Sequence, residues 1–269
     1  MLGLGLGLNK DSRRGGAAPP YVEDPDAAAY FAQVATQPDQ ANKVIYNDLF
    51  ISTKAGVNNF SKSDILFIRG AQYEDNALRS LKNPTWPLST KISTPTFEQY
   101  RGYTGGAGKA LDWNWIPATN GVNFTLNSAC LWVYSRTDLN GLFVDLGVNQ
   151  TAFAQVILAR YVGEFYGNLN GAGNTTQAIG HSLGLFSVVR TDANTLQLWV
   201  NGVLLFTANP SSVSLASRTM YELAMNLNGV LTFPSDRQIF ASGAGSGTMD
   251  QLELYNSIQA AATSWGANV

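Results

Sequence analysis

Nineteen acidic residues and a single histidine are the raw material for catalysis in this chain of 269 residues. Hydrolysis of a glycosidic bond needs two carboxyl groups about 5–5.5 Å apart for retention, or further apart for inversion. Asp250 and Glu253 are three apart, so on a strand they face opposite sides. Glu98, Asp145, Glu164 and Glu222 are each isolated, and no spacing brings them together. His181 offers the base of a Ser/His/Asp triad, but no Gly-x-Ser-x-Gly stands between a strand and a helix. Gly243-Ala244-Gly245-Ser246-Gly247 places a serine between glycines ahead of a strand, which makes it a loop. His181 therefore reads as a hydrogen-bonding residue at the start of a strand. Cys130 lies in the apolar run Ala129–Tyr134 with no base beside it, so it reads as a buried thiol. Gly105–Lys109 has the glycines of a phosphate loop, but Tyr103 and Ala110 break the pattern and no helix follows. No catalytic residue is assigned, and the chain reads as a non-enzyme.

Binding chemistry is better represented. Sugar faces are apolar and their hydroxyls need planar polar partners, so a glycan site combines aromatic platforms with amides. Asp112-Trp113-Asn114-Trp115 is the best such cluster, with Trp113 and Trp115 on one face of a strand and Asn114 on the other. Tyr166, Asn168 and Asn170 form a second polar-aromatic stretch. The competing reading puts both tryptophans in the core or at a subunit interface, since large aromatics dominate both. Leu2, Leu4, Leu6 and Leu8 alternate with glycines, so a strand there carries every leucine on one face. Such an arm is either disordered or adds to a partner's sheet edge.

These residues need a scaffold rich in strands. Charged residues are 13% and Gly is 26 of 269, a composition of turns and sheets. The net charge is −2 with no basic stripe, which argues against nucleic-acid binding. No apolar run approaches the ~20 residues of a membrane span, and the first residues lack a signal peptide's basic and apolar regions. Single-cysteine usage matches assembly in a reducing cytoplasm. The clearest element is a hairpin: Asn201-Gly202 supplies the two positive-φ residues of a type I′ turn between Thr195–Val200 and Val203–Asn209. That turn pairs Val200 with Val203, Leu198 with Leu205 and Leu196 with Thr207.

Three segments follow from the pattern: an extended docking arm over 1–20, an α-helical attachment segment over 21–84, and a β-sandwich with a short C-terminal helix over 85–269. Helices are expected at Ala27–Ala35, Asp39–Lys54, Ser61–Ile68 and Tyr73–Leu81. From Thr85 the period changes to two, with strands expected through Met249–Tyr255.

His181–Asn209, with its Val-Asn-Gly turn, resembles the core of laminin-G-like, concanavalin A-like jelly rolls. Gly247–Asn256 resembles their closing strand, with Met249 in place of the usual Ile. From about Asp24 onward, Tyr46-Asn47-Asp48-Leu49, Lys54-Ala55-Gly56, Ile65–Ala71, Asn83-Pro84-Thr85, Ser93–Phe97, Arg101–Gly105 and Ser135–Asp138 resemble a family encoded by tailed phages and prophages. The resemblance implies a mainly-β fold and a virion structural protein: tail fibre, spike, decoration or baseplate-associated appendage. It implies other phage structural proteins as partners, a homo-oligomer with a trimer favoured, and a host surface polysaccharide as ligand. Concanavalin A-like glycanases carry Glu-x-Asp-x-x-Glu on one strand or paired glutamates across a groove; that run is absent here, so a polysaccharide depolymerase on the same fold stands only as the alternative. Laminin-G-like domains often hold Ca²⁺ at the rim, for which Asp138, Asn140, Asp145 and Asp192 are the candidates; sparse carboxylates argue against a tight site.

Overall fold

The computed structural model describes residues 21–150 and 152–269; the arm over 1–20, with Leu2, Leu4, Leu6 and Leu8, lies outside the described residues. Asp24 accepts a hydrogen bond from the Asp26 amide and opens α1 (Pro25–Phe31) with proline in the first turn. Asp39 caps α2 (Gln40–Lys54) in the same way through Asn42. The chain continues through α3 (Asn59–Lys62), β1 (Ser63–Ile68), α4 (Glu74–Leu78), β2 (Thr90–Ile92), β3 (Thr96–Glu98), β4 (Gly102–Thr104), β5 (Ala110–Asp112) and α5 (Pro117–Asn120). Next come β6 (Ala129–Ser135), β7 (Leu146–Gln150), β8 (Phe153–Tyr161), β9 (Glu164–Gly171) and β10 (Thr175–Ala178). β11 (Gly184–Asp192), β12 (Thr195–Val200) and β13 (Val203–Ala208) form the meander seen in the sequence. β14 (Tyr221–Glu222), β15 (Met225–Leu227), β16 (Val230–Thr232), β17 (Gln238–Gly245) and α6 (Gln251–Ser264) close the chain.

Two sheets form a sandwich. The first has the order β13-β12-β11-β6-β17-β4-β3, with β1 also paired to β17. The second has the order β10-β9-β8-β7-β14-β5-β2, with β15 and β16 joined through β7. All pairs are antiparallel except β7 with β15. Leu131, Val188 and Leu198 from the first sheet and Ile157, Phe165 and Leu169 from the second are all buried in one core. Phe165 and Phe186 meet edge to face with centroids 5.2 Å apart. Gly167 permits this approach, since a Cβ there would lie 2.5 Å from Val188 and 2.6 Å from Leu198.

Three expectations are corrected. The helix expected over Ser61–Ile68 is mostly β1, paired antiparallel with β17. Its residues are buried on every side, and periodicity cannot divide such a run between helix and strand. The segment over 21–84 therefore contributes a strand to the first sheet. The closing strand expected over Met249–Tyr255 is helix: Asp250 accepts from the Glu253 amide at 2.9 Å and starts α6. Leu254, Ile258, Ala261 and Ala262 then recur at helical spacing on its buried face. The real closing strand, β17, includes glycines that read as a loop. Gly243 is required because a Cβ would fall 2.5 Å from the Trp132 ring.

The hairpin turn is as expected, with φ of 51° at Asn201 and 76° at Gly202. Its register is not. A bulge at Leu205 shifts the pairing after Trp199↔Leu204, giving Leu198↔Phe206 and Leu196↔Ala208.

Candidate binding surfaces

The structure places most of the candidate glycan residues inside the protein. Trp113 and Trp115 are 0% and 1% exposed, with ring centroids 6.4 Å apart. Asn114 between them adopts a positive φ of 55°, so the chain turns there and does not run on as a strand. Its amide is committed to Leu88 O at 2.7 Å and Thr90 Oγ1 at 3.0 Å. Asn168 is buried and bonds Gly171 O at 2.9 Å. Asn170 is buried and joins Gln155 to the carbonyls of Thr125 and Leu126. The side chains of Trp113, Trp115, Asn168 and Asn170 are buried away from solvent, so for these four the platform reading is corrected to core; Asn114 is half-exposed with its amide already bonded. Tyr166, like Asn114, remains half-exposed.

The carboxylates are equally committed. Glu222 Oε2 accepts from Arg69 Nη2 at 2.8 Å, Trp113 Nε1 at 2.8 Å and Ser242 Oγ at 2.8 Å, all buried. Asp145 accepts from Arg237 Nη1 at 2.9 Å, Ser235 Oγ at 2.7 Å and the Ala159 amide at 2.8 Å, and is buried. Each guanidinium offsets the cost of burying its carboxylate. Asp138 accepts from the Ser182 amide at 2.9 Å, which holds its carboxyl below the usual range. Asp192 binds the Asn194 amide at the turn between β11 and β12. Among the described residues no group of three or more His, Cys, Asp or Glu converges where a metal could sit. Asp138, Asp145 and Asp192 each bond protein groups.

His181 Nδ1 accepts from the Leu183 amide at 3.2 Å, the strand-start role its position suggested. Cys130 is buried beside Gln251, and burial pushes its thiol up to about 12. No described helix is long and apolar enough to cross a membrane.

The surface that remains lies on the outside of the second sheet. Along β8 the outward residues are Ala154, Val156 and Leu158; Val144 and Met225 join them in a cluster separate from the main core. Tyr161, Tyr166 and Leu227 pack against its margin. Leu142, Asn149, Asn174 and Phe233 complete a trough holding a cavity of about 230 Å³. Its floor dips at Gly147, where a Cβ would lie 2.9 Å from Val144. The Tyr161 and Tyr166 rings stand 5.6 Å apart at 48°. Asn174 is exposed and Asn149 half-buried. Sequence spacing missed this surface because its residues come from five separate stretches. The signal present was the outward alternation of Ala154, Val156 and Leu158, apolar on a face expected to be polar.

With that geometry in view, solved structures of similar shape share the β-sandwich fold. A structure from work on botulinum neurotoxin type C, whose cell entry depends on two ganglioside molecules, superposes with a TM-score of 0.50 at 11% identity, over 74% of this chain and 52% of that one. The receptor-binding domain of botulinum neurotoxin D gives 0.49 at 10% identity, over 74% and 52%. Domain 4 of an extracellular arabinanase from Geobacillus stearothermophilus, in complex with arabinotriose, gives 0.46 at 14% identity, over 74% and 98%. The chain spans about half the length of the toxin chains it matches. These likenesses concern the fold alone. No family model and no curated protein matches the sequence.

Proposed function

We propose that the chain is a non-catalytic structural component of a tailed-phage particle, made in the host cytoplasm, whose β-sandwich binds a host surface glycan on the outer face of its second sheet. The trough carries the glycan reading. It pairs an apolar floor with two tyrosines and two asparagine amides, the combination that sugar rings and their hydroxyls require. The virion reading rests on the lead-in motifs from Tyr46 to Thr85 and on Ser93–Gly105, which resemble those of phage structural proteins. Other virion proteins and further copies of the chain, with a trimer favoured, are the partners this implies. The non-catalytic reading is supported by Glu222 and Asp145, the two central carboxylates, each locked to an arginine in the core.

The test is adsorption of purified protein to host cells and to isolated surface polysaccharide. Tyr166→Ala and Tyr161→Ala should each weaken binding roughly tenfold, ~1.4 kcal/mol, with little change in melting temperature. Unchanged adsorption in both variants sinks the trough as the glycan site. Release of oligosaccharide from the polysaccharide would replace this reading with a depolymerase.

A further inference from the structure

β13 ends the first sheet and β10 ends the second, and among the described residues each pairs with one strand only, β12 and β9 respectively. The two ends lie on the same side of the sandwich, because β10 runs beside β13 and β9 beside β12. A free row of N–H and C=O groups templates further pairing, so exposed edges are normally blunted by charge or proline. The strands at the opposite ends follow that rule: β3 carries Glu98 and β2 carries Lys91. Val-Leu-Leu-Phe-Thr-Ala of β13 and Thr-Thr-Gln-Ala of β10 carry neither charge nor proline.

The lack of charge extends beyond the two strands. Residues 165–189 and 193–217 supply β10, β12, β13 and most of β9 and β11. They contain no Asp, Glu, Lys or Arg, although such residues make up 13% of the chain. Val203, Leu204 and Phe206 are 60%, 43% and 40% exposed, and Val213 beyond β13 is exposed as well. This side of the sandwich is therefore apolar and uncharged, with an unguarded edge in each layer.

The geometry selects the partner. An extended peptide satisfies one edge and leaves the other open. Two edges about 10 Å apart, the usual spacing of packed sheets, are met together by the same side of a second sandwich. A two-fold axis normal to the sheets sets each edge strand against its own copy, antiparallel like β12 with β13 and β9 with β10. Each strand then faces itself, so any charge on it would meet its like, and like charges opposite one another are destabilising. β10 and β13 meet that condition, and β2 and β3 do not. We propose that two copies of this chain pair through this side, β13 to β13 and β10 to β10, so that both sheets continue from one copy into the other. Two-fold pairing closes at two copies, so a larger assembly, a trimer included, uses other surfaces. The inference is independent of the glycan trough, which lies on the outer face of the second sheet.

Sedimentation equilibrium of the full chain tests it. The wild type should dimerise, and Leu204→Lys should weaken the dimer at least tenfold. Leu204 is exposed, so its melting temperature should change little. Thr176→Lys on β10 should weaken the dimer as well. Val122→Lys should not, since Val122 is 80% exposed and lies beside Asp64 of β1. In the unsubstituted protein, amide exchange in Val203–Ala208 should slow at least tenfold between dilute and concentrated samples, a readout that needs no variant to fold. A wild type still monomeric at ~1 mM overturns the proposal, as does a dimer that Leu204→Lys leaves unchanged or that Val122→Lys weakens equally. Weakening by Leu204→Lys but not by Thr176→Lys overturns the two-layer contact in favour of one through β13 alone. Exchange in Val203–Ala208 that is independent of concentration also overturns the proposal.

Discussion

The outer face of the first sheet lies under helices, whereas the outer face of the second is open. On the first, Tyr134 donates to Gln259 of α6, and Phe240 packs against Trp265 with centroids 6.1 Å apart. Trp265 in turn meets Tyr46 of α2 at 5.2 Å. β6 and nearly all of β17 are consequently buried on both faces. On the second sheet, Val156, Leu158 and Met225 form their own small cluster, shielded only by side chains of the same face. Apolar outward residues thus mark a structural contact in one sheet and an unfilled surface in the other. The difference is the helical lead-in and α6, which cover one sheet only. An apolar patch without a covering layer is where a partner is expected.

The sharpest way to break the comparison is to cut the joint between the sheets. Arg69 follows β1 in the first sheet and Glu222 lies in β14 of the second, both fully buried. Arg69→Met should cost about 3–5 kcal/mol, because the remaining carboxylate is left unpaired in the core. Arg69→Met combined with Glu222→Leu should recover most of that loss in urea unfolding. If the single and double variants lose equal stability, the arginine acts through packing and not charge.

A smaller effect separates the two faces directly. Leu198 is buried between the sheets, and Leu158 lies in the outer trough. Truncation of a buried leucine costs about 2–5 kcal/mol, more where the surroundings cannot relax. Leu198→Ala should fall in the upper part of that range and Leu158→Ala near its lower end. Equal losses would mean that the trough is as tightly packed as the core, leaving no room for a ligand.

How far the sequence reveals this arrangement depends on the kind of signal. The Asn201-Gly202 turn, the caps at Asp24 and Asp39 and the strand Ala129–Ser135 were legible, because each is set by local backbone chemistry. β1 was not, because its apolar residues are buried on all sides. The C-terminal helix expected over Ser257–Trp265 is the later part of α6, but its start was misread because Leu252 and Leu254 alternate, although Leu252 is exposed and only Leu254 enters the core. The tryptophans at 113 and 115 were recognised as either platform or core, and only packing decides between them. Glu222 explains the choice: a buried carboxylate needs donors, and the Trp113 indole is one of them. The trough as a whole was not legible, because it is assembled from residues between 142 and 233 that share no motif; only Tyr166 at its margin and the alternation of Ala154, Val156 and Leu158 pointed to it.

The smallest effect concerns an exposed joint between the same two sheets. Asp138 follows β6, and its carboxylate meets Arg160 of β8 at 3.2 Å. The Ser182 amide, and then Arg160, lowers its acid range in the folded protein. A carboxyl lowered in this way stabilises the fold above the ordinary value of ~3.9, and the contribution is lost as pH falls through the folded value. Asp138→Asn should therefore reduce stability at pH 7 by only about 0.2–1 kcal/mol, since the pair is partly exposed and screened. The gap between the two proteins should close progressively below pH ~4 in urea unfolding. It should also shrink with added salt, whereas the loss in Arg69→Met should not. A gap that stays constant across pH would assign the effect of Asp138 to its geometry alone and leave Arg69–Glu222 as the only joint where charge matters.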